Sequence, residues 1–218
     1  MSGRAVLVLG ASGLVGSECL RLLLEDETVS RVVVPTRRPL RGFDSPKLER
    51  HVIDFDQLTQ NPEVFAVDQI FCALGTTLRK TPSEDEYRKI DFGFPLAAAQ
   101  LGAERGVTHY LLVSAVGADS RSRIFYNRLK GELEDALKAI AFRSLTIARP
   151  SVLIGERAEP RLSEKIAWKL GFITPAKYRP VYGTSVARAL VNMARADKAG
   201  LHIIPNRDIE RVAGSSRG

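Results

Sequence analysis

A tyrosine and a lysine stand four residues apart at Tyr126 and Lys130, and this pair is the first candidate for chemistry in the sequence. On a helix that spacing places both side chains on one face, one turn apart. A phenol is a poor proton donor near neutrality because its reference pKa is about 10, and a neighbouring ammonium stabilises the phenolate. Tyr126 is therefore a candidate general acid, with Lys130 as the residue that tunes it. A packed aromatic ring beside a solvated lysine is the alternative.

A serine completes this candidate catalytic set. Ser114 lies twelve residues before the tyrosine, at the end of the largely apolar run His109–Ser114, which is predicted to be a strand. At such a strand end its hydroxyl would point into the same crevice and polarise a carbonyl. The three side chains together predict the reduction of a carbonyl group.

The element predicted to hold a cofactor lies near the amino terminus. Ala5–Leu9 is an apolar run typical of a buried parallel strand, and Gly10, Gly13 and Gly16 follow it before the helical stretch Ser17–Leu24. The glycines would permit a sharp turn, the close approach of a pyrophosphate and close helix packing, in that order. The helix amino terminus offers free N–H groups to phosphates. An ordinary tight turn between strand and helix is the alternative.

Alternation of apolar runs with helical periodicity predicts an α/β fold, a doubly wound parallel sheet with helices on both faces. The later strands are predicted at Arg31–Pro35, His51–Phe55, Gln69–Leu74, His109–Ser114, Ser144–Arg149 and Gly200–Ile204. The later helices are predicted at Glu84–Arg105, interrupted near Pro95, at Ile124–Ile140 and at Thr184–Ala196. We expect one domain over 1–218, with a small helical cap at about 156–182 and a frayed tail from Ala213.

The end of the second predicted strand indicates which dinucleotide the site would take. Sites that prefer NAD place an Asp or Glu about twenty residues after the glycine turn, on the adenosine ribose. This chain has Thr36, Arg37 and Arg38 there. A guanidinium binds a 2′-phosphate, which a carboxylate would repel. We therefore expect Arg37, with Arg38, to favour NADP(H), with NAD(H) as the alternative cofactor and a solvated loop as the alternative role.

Two other strand ends carry candidate cofactor contacts. Asp54, at the end of the third predicted strand, is positioned either to face the adenine or to cap a turn. Leu74, Gly75 and Thr76 follow the fourth strand in a segment rich in small residues. Such a segment lets a cofactor lie across the strand ends, in the crevice where open α/β sheets bind ligands.

Composition narrows the partners and the compartment. The 218 residues carry a formal net charge of +7, with Lys and Arg spread along the chain. We interpret that excess as a contribution to solubility and to the attraction of an anionic ligand, and no nucleic-acid partner is expected. Cys19 and Cys72 fall within predicted buried elements, and no apolar run approaches the roughly twenty residues of a membrane helix. We expect a cytoplasmic protein without stable membrane insertion, as a monomer or homodimer.

These motifs resemble those of a known family. The turn Gly10–Gly16, Ser114 and the pair Tyr126-x-x-x-Lys130 resemble the atypical short-chain dehydrogenases/reductases of the extended type. The resemblance implies an NADP(H)-binding Rossmann domain that reduces a small carbonyl substrate. In such enzymes the nicotinamide C4 donates hydride to the carbonyl carbon, the tyrosine protonates the oxygen, the lysine hydrogen-bonds the nicotinamide ribose and the serine holds the substrate oxygen.

One branch of that family is closer still. Val113–Asp119 followed by Phe125–Glu132 is similar to the oxidoreductases related to the Tat-interacting protein of animals, which also share Leu74–Thr77 and the Arg-Pro at 149–150. The similarity runs from about position 6 to position 206 and is weakest in the cap.

The resemblance carries cofactor contacts over to this chain. They are Gly10, Ser12, Gly13, Leu14, Val15, Arg37, Leu74, Gly75, Tyr126 and Lys130. Pro150, directly after the sixth strand, is added by its position beside the expected nicotinamide amide. The asparagine of the wider family's proton relay has no match that the sequence identifies.

Other chemistry has less support in the sequence. His51, His109 and His202 lack a cysteine or carboxylate at metal-ligand spacing, so no metal site is predicted. Arg161–Lys177, in the predicted cap, mixes apolar and basic residues. We interpret it as a lid over the substrate pocket, with a membrane-surface helix as the alternative.

Two functional classes follow from these observations. The first is an NADP(H)-dependent reductase that uses Ser114, Tyr126 and Lys130. The second is an NADP(H)-binding protein that senses redox state or binds a partner without catalysis. The presence of all three side chains favours the first, and the identity of the carbonyl substrate is not encoded in any motif.

Overall fold

A computed structural model of the chain describes residues 3–76, 81–155 and 175–214. The strands of its main sheet are β1 (Arg4–Leu9), β2 (Val29–Thr36), β3 (Leu48–Val52), β4 (Gln69–Cys72), β5 (His109–Val113), β6 (Ser144–Arg149) and β9 (Gly200–Pro205). All seven are parallel, in the order β3-β2-β1-β4-β5-β6-β9. A separate parallel pair, β7 (Leu153–Ile154) and β8 (Val181–Tyr182), follows the carboxyl end of β6. The predicted doubly wound sheet is confirmed.

Helices cover both faces of the sheet. They are α1 (Leu14–Glu25), α2 (Glu84–Arg88), α3 (Phe94–Glu104), α4 (Phe125–Lys138), α5 (Gly183–Ala196) and α6 (Ile209–Gly214). Short 3-10 turns lie at Phe55–Gln60, Pro62–Phe65, Ala176–Tyr178 and Asn206–Asp208. Helices α1 and α5 pack over one cluster of buried apolar side chains, and α3 and α4 over a second. Central strands buried on both faces explain the uninterrupted apolar runs in the sequence.

The strand order changes direction between β1 and β4, since the chain moves outward to β2 and β3 and then returns to the other side of β1. Such a switch point opens a crevice at the carboxyl ends of the strands. Among the described residues, no helix is long and apolar enough to cross a membrane.

The predicted position of the third strand is wrong by three residues. We expected His51–Phe55, and the strand is Leu48–Val52. The Ile53 N–H still donates to the Thr36 carbonyl at the end of β2, but the buried ring of Phe55 begins a 3-10 turn. An apolar residue in a short turn therefore resembled a strand residue.

The interruption predicted near Pro95 is confirmed as a π-helical turn, Lys89–Gly93, between α2 and α3. A proline has no N–H to donate to the carbonyl four residues back, here that of Asp91. The hydrogen-bond ladder shifts instead, and the Phe94 N–H donates to the Lys89 carbonyl five residues back. The result is one extra residue in the turn.

Most of the predicted cap, residues 156–174, lies outside the described residues. Its described end carries the 3-10 turn Ala176–Tyr178 and strand β8. The predicted tail from Ala213 is partly wrong, because α6 continues to Gly214, and 215–218 lie outside the described residues. The sequence did not predict the β7–β8 pair.

Candidate active site

The glycine turn after β1 is built so that two positions admit no side chain. Gly10 has φ +79°, and a Cβ there would lie 2.5 Å from the Ala73 carbonyl oxygen. A Cβ on Gly16 would lie 2.1 Å from the Gly10 carbonyl oxygen, because α1 packs directly on the turn. The Gly13 N–H closes the turn by donating to the same oxygen at 2.9 Å. The roles predicted for a tight turn and for close helix packing are thus visible in the structure.

The amino terminus of α1 fits a bound phosphate. Its cap residue, Gly13, offers no side chain to the free N–H groups, and the first turn holds no acidic residue. Ser12 and Gly13 are exposed, whereas Val15 is buried. The unsatisfied N–H groups and the positive end of the helix dipole face the crevice without competition from a side-chain oxygen.

Leu14, at the start of α1, joins this turn to the β7–β8 side. A Cβ on Gly155 or Gly183 would lie 2.6 Å or 2.7 Å from the Leu14 side chain. The half-buried leucine thus packs against backbone that follows β7 and begins α5. The glycine turn and the end of the β7–β8 pair form one contact surface.

The end of β2 carries two exposed cationic side chains. Arg37 and Arg38 lie exposed in the bend after the strand, with no hydrogen bond or ion pair to any other described residue. The Thr36 hydroxyl beside them is buried and has no hydrogen-bond partner in the described part of the chain. Buried hydroxyls are rarely left unpaired, so Thr36 is an exception among the described residues.

Asp54 lies two residues beyond β3, so its predicted position at the strand end is wrong. Its exposed carboxylate accepts the Asp56 N–H at 3.0 Å and caps the 3-10 turn Phe55–Gln60. The capping role is therefore seen directly, and the contact with an adenine stays a prediction.

The loop after β4 runs into the centre of the candidate site. Leu74 is half-buried and Gly75 exposed, and the Thr76 N–H donates to Asp91 Oδ2 at 2.7 Å. The sequence did not identify Asp91, which lies in the π turn between α2 and α3. Its signal was indirect: a proline four residues downstream.

Tyr126 and Lys130 lie on one face of α4, as predicted. The tyrosine is 38% exposed, whereas the lysine side chain is 4% exposed and its Nζ lies 2.8 Å from Asp91 Oδ1. Burial lowers the pKa of the ammonium, but the charge of Asp91, followed by that of Tyr126, raises it by more, so the pKa of Lys130 lies above its ordinary value. The cation is therefore retained beside the phenol.

Ser114 is buried at the end of β5, and its hydroxyl donates to Glu134 Oε1 at 2.5 Å. Glu134 also accepts from Arg149, at 3.0 Å from Nε and 2.5 Å from Nη2. These hydrogen bonds with Glu134, ahead of its charge, raise the pKa of the Arg149 guanidinium. A hydroxyl has one proton to donate, and here Glu134 receives it. The role of Ser114 in polarising a carbonyl stays a prediction.

Comparison with known proteins places this geometry in a family. Protein HTATIP2 of Rattus norvegicus is 31% identical over 225 aligned positions, which cover 100% of this chain and 93% of the relative. The chain belongs to the HTATIP2 branch of the atypical short-chain dehydrogenases/reductases. The protein of Debaryomyces hansenii named "Protein FMP52, mitochondrial" is 31% identical over 201 positions, 87% of each chain. No protein-family model matches the sequence.

Solved structures share the fold of this branch. MoeE5 in complex with UDP-glucuronic acid and NAD superposes with a TM-score of 0.74 at 19% identity, covering 91% of this chain and 75% of that one. A UDP-N-acetylglucosamine 4-epimerase from Methanobrevibacter ruminantium M1 gives a TM-score of 0.71 at 13% identity, covering 94% and 77%. At these identities the similarity concerns the Rossmann fold alone.

The remaining predicted contact is Pro150. In this member of the branch it is buried, and its carbonyl accepts the Val116 N–H at 2.8 Å, which ties the end of β6 to the loop after β5. Its contact with a nicotinamide stays a prediction.

Cys19 and Cys72 are free and buried, and burial raises the pKa of both thiols, to about 12 for Cys19. Among the described residues, no group of three or more side chains has the makeup of a metal site.

Proposed function

We propose that the protein is an NADP(H)-dependent oxidoreductase that transfers hydride between nicotinamide C4 and a small carbonyl or alcohol substrate. The observation that carries the proposal is the buried Lys130 ammonium, one helical turn from the accessible Tyr126 phenol. Both lie on the helix that begins at the carboxyl edge of the sheet, beside the loop after β4. Membership of a dehydrogenase/reductase family supports the same chemistry.

In the proposed reaction the two side chains manage the proton. A bound nicotinamide supplies the hydride for reduction and accepts it in oxidation. The Tyr126 phenol donates a proton to the carbonyl oxygen during reduction and takes it back during oxidation. An ammonium has three N–H donors, and Asp91 occupies one at Lys130, so two are left for the phenol oxygen and a ribose hydroxyl.

The proposed preference for NADP(H) rests on the end of β2. Arg37 and Arg38 have no counter-ion among the described residues, and the Thr36 hydroxyl has no partner there. A 2′-phosphate would bind the exposed guanidinium groups through charge-assisted hydrogen bonds. MoeE5, which shares the fold, was solved with NAD. The preference of this chain for NADP(H) over NAD(H) therefore needs its own test.

A second candidate function is NADP(H) binding without catalysis. It is favoured by the Ser114 hydroxyl, whose proton is donated to Glu134 and is withheld from a substrate oxygen in this arrangement. Such a protein would bind the cofactor and respond to its redox state through a partner.

Turnover separates the two candidates. We expect the native protein to oxidise NADPH with at least one member of a panel of small aldehydes, ketones and quinones. In Tyr126→Phe the rate should fall about 10²- to 10⁴-fold, the usual contribution of a general acid. Tyr110→Phe is the matched control, because it removes a buried phenol hydroxyl that donates to the Pro95 carbonyl. Equal rates in native protein and Tyr126→Phe, or no turnover on the whole panel, would reject the reductase.

Cofactor choice is tested by binding alone. Arg37→Ser is expected to weaken NADPH binding about tenfold or more and to leave NADH binding unchanged. The arginine pairs with the 2′-phosphate, which NADPH carries and NADH lacks. Arg121→Ser, a change at an exposed arginine in the loop before α4, is the control. A native preference for NADH would contradict the proposal.

The proposed compartment is the cytoplasm, and imaging of a tagged chain tests it, since fungal relatives carry the word mitochondrial in their names.

A further inference from the structure

Asp91 is placed between two parts of the site that the sequence treats separately. Its side chain is 1% exposed and lies in the π turn, whereas its partners lie on α4 and after β4. Oδ1 pairs with Lys130 Nζ at 2.8 Å, and Oδ2 accepts the Thr76 N–H at 2.7 Å. Each oxygen thus fixes a different segment of the chain.

The contact with Thr76 fixes backbone that is proposed to lie under the cofactor. Gly75 is exposed to the crevice, and a Cβ there would lie 3.6 Å from Asp91 Oδ1. A buried carboxylate that accepts a backbone N–H restrains the loop more firmly than water would. Movement of Asp91 would therefore release this loop and the lysine together.

The contact with Lys130 determines whether a buried ammonium keeps its charge. The groups that face its Nζ are Asp91 from the π turn, Tyr126 from α4 and Cys72 from β4. Of these, Asp91 is the one in direct contact, at 2.8 Å. Without a carboxylate beside it, burial at this depth favours the neutral amine.

We propose that Asp91 is a positioning residue of the site, holding the Lys130 ammonium with one carboxylate oxygen and the cofactor-binding loop with the other. The inference rests on the proposed function for its consequence in catalysis, but the two contacts exist without it. In this proposal one carboxylate in a π turn links the position of the cofactor loop to the charge of Lys130.

The test begins with Asp91→Asn, which keeps an acceptor for the Thr76 N–H and removes the negative charge. NADPH affinity is measured by fluorescence from about pH 6 to about pH 10, around the ordinary lysine range. In the native protein we expect affinity to stay level until the alkaline end. In the variant we expect binding to weaken about tenfold or more, and to weaken further as rising pH discharges Lys130.

A direct readout of Lys130 requires neither cofactor nor substrate. Its side-chain NMR signal, assigned with Lys130→Arg, is expected to titrate at lower pH in Asp91→Asn than in native protein. Failure of the proposed function would appear as no turnover or no NADPH binding in the native chain, and the titration would still decide on Asp91. Asp135→Asn, an exposed carboxylate on the same helix, is the matched control and is expected to move neither measurement.

Two outcomes would overturn the inference. One is a folded Asp91→Asn whose Lys130 titrates as in native protein; the other is NADPH affinity equal to native at every pH. Where Asp91→Asn does not fold, Asp91→Glu replaces it, since it keeps the charge but cannot reach both partners unchanged. We expect weaker NADPH binding without the new pH dependence, and native affinity in that folded variant would also reject the positioning role.

Discussion

Helix α4 turns two buried charges toward the sheet, one helical turn apart, and their surroundings differ. Lys130 and Asp91 form a closed pair, with side chains 4% and 1% exposed. Glu134 is equally buried, but its partner Arg149 is 29% exposed and reaches solvent. The difference shows that a buried charge does not by itself mark a candidate active site. The closed pair lies beside the accessible phenol, whereas the open pair ties α4 to the end of β6.

The largest effect should come from breaking the closed pair. Lys130→Met leaves Asp91 buried without its cation, and we expect the free energy of unfolding to fall by about 3–5 kcal/mol. Urea unfolding followed by circular dichroism measures it. The double variant Lys130→Met/Asp91→Asn removes both charges and should recover most of the loss. A double variant less stable than Lys130→Met would contradict the pairing.

Breaking the open pair should cost less. In Glu134→Gln, Arg149 loses its carboxylate but turns to water, so we expect a loss of about 1–3 kcal/mol, typical of charged hydrogen bonds. The exposed change Asp135→Asn should stay within about 0.5 kcal/mol in the same urea titration. If Glu134→Gln were as harmful as Lys130→Met, solvent access would not explain the difference between the two pairs.

A buried histidine at the amino end of β5, His109, should govern the response of stability to mild acid. Burial lowers the pKa of His109 to about 4 from 6.5. The unfolded chain therefore binds the extra proton first, and stability falls as the pH drops from 6.5 toward 4. We expect a loss of about 1 kcal/mol at pH 5.5 relative to neutral pH, and a flat profile over that window in His109→Gln.

The smallest effect is expected at Ser114. Ser114→Ala removes one of the hydrogen bonds to Glu134 and leaves those of Arg149, so stability should fall by about 1 kcal/mol or less. Turnover should fall less than tenfold, because the Ser114 hydroxyl already uses its one donor in the hydrogen bond to Glu134. A loss of turnover as large as that in Tyr126→Phe would instead return Ser114 to the catalytic set.

Features that depend on local spacing were predictable from the sequence. The glycine turn is contained in Gly10–Gly16, and the common face of Tyr126 and Lys130 follows from helical geometry. The order of apolar runs was sufficient for the parallel sheet. Each of these arguments uses residues within one or two elements.

Features that depend on distant partners were not predictable. Asp91 meets Lys130 across 39 positions, and no spacing rule links them. Glu134 looked like an ordinary helical residue, although its carboxylate accepts a hydrogen bond from the Ser114 hydroxyl. The error at β3 has a similar origin, since Phe55 is buried by tertiary packing in a turn rather than by strand pairing.

The direction of the Asp91 side chain is in effect specified four residues downstream. Pro95 withholds one N–H, the ladder accommodates an additional residue, and everything before that point is rotated by about 100° relative to α3. Pro95 does not end the helix here. Because it lacks an N–H, one helical hydrogen bond is missing, and the resulting shift of the helix sets the direction of the Asp91 carboxylate. A substitution of Pro95, which is not one of the residues bonded to the Asp91 carboxylate, is therefore expected to change the direction of that side chain.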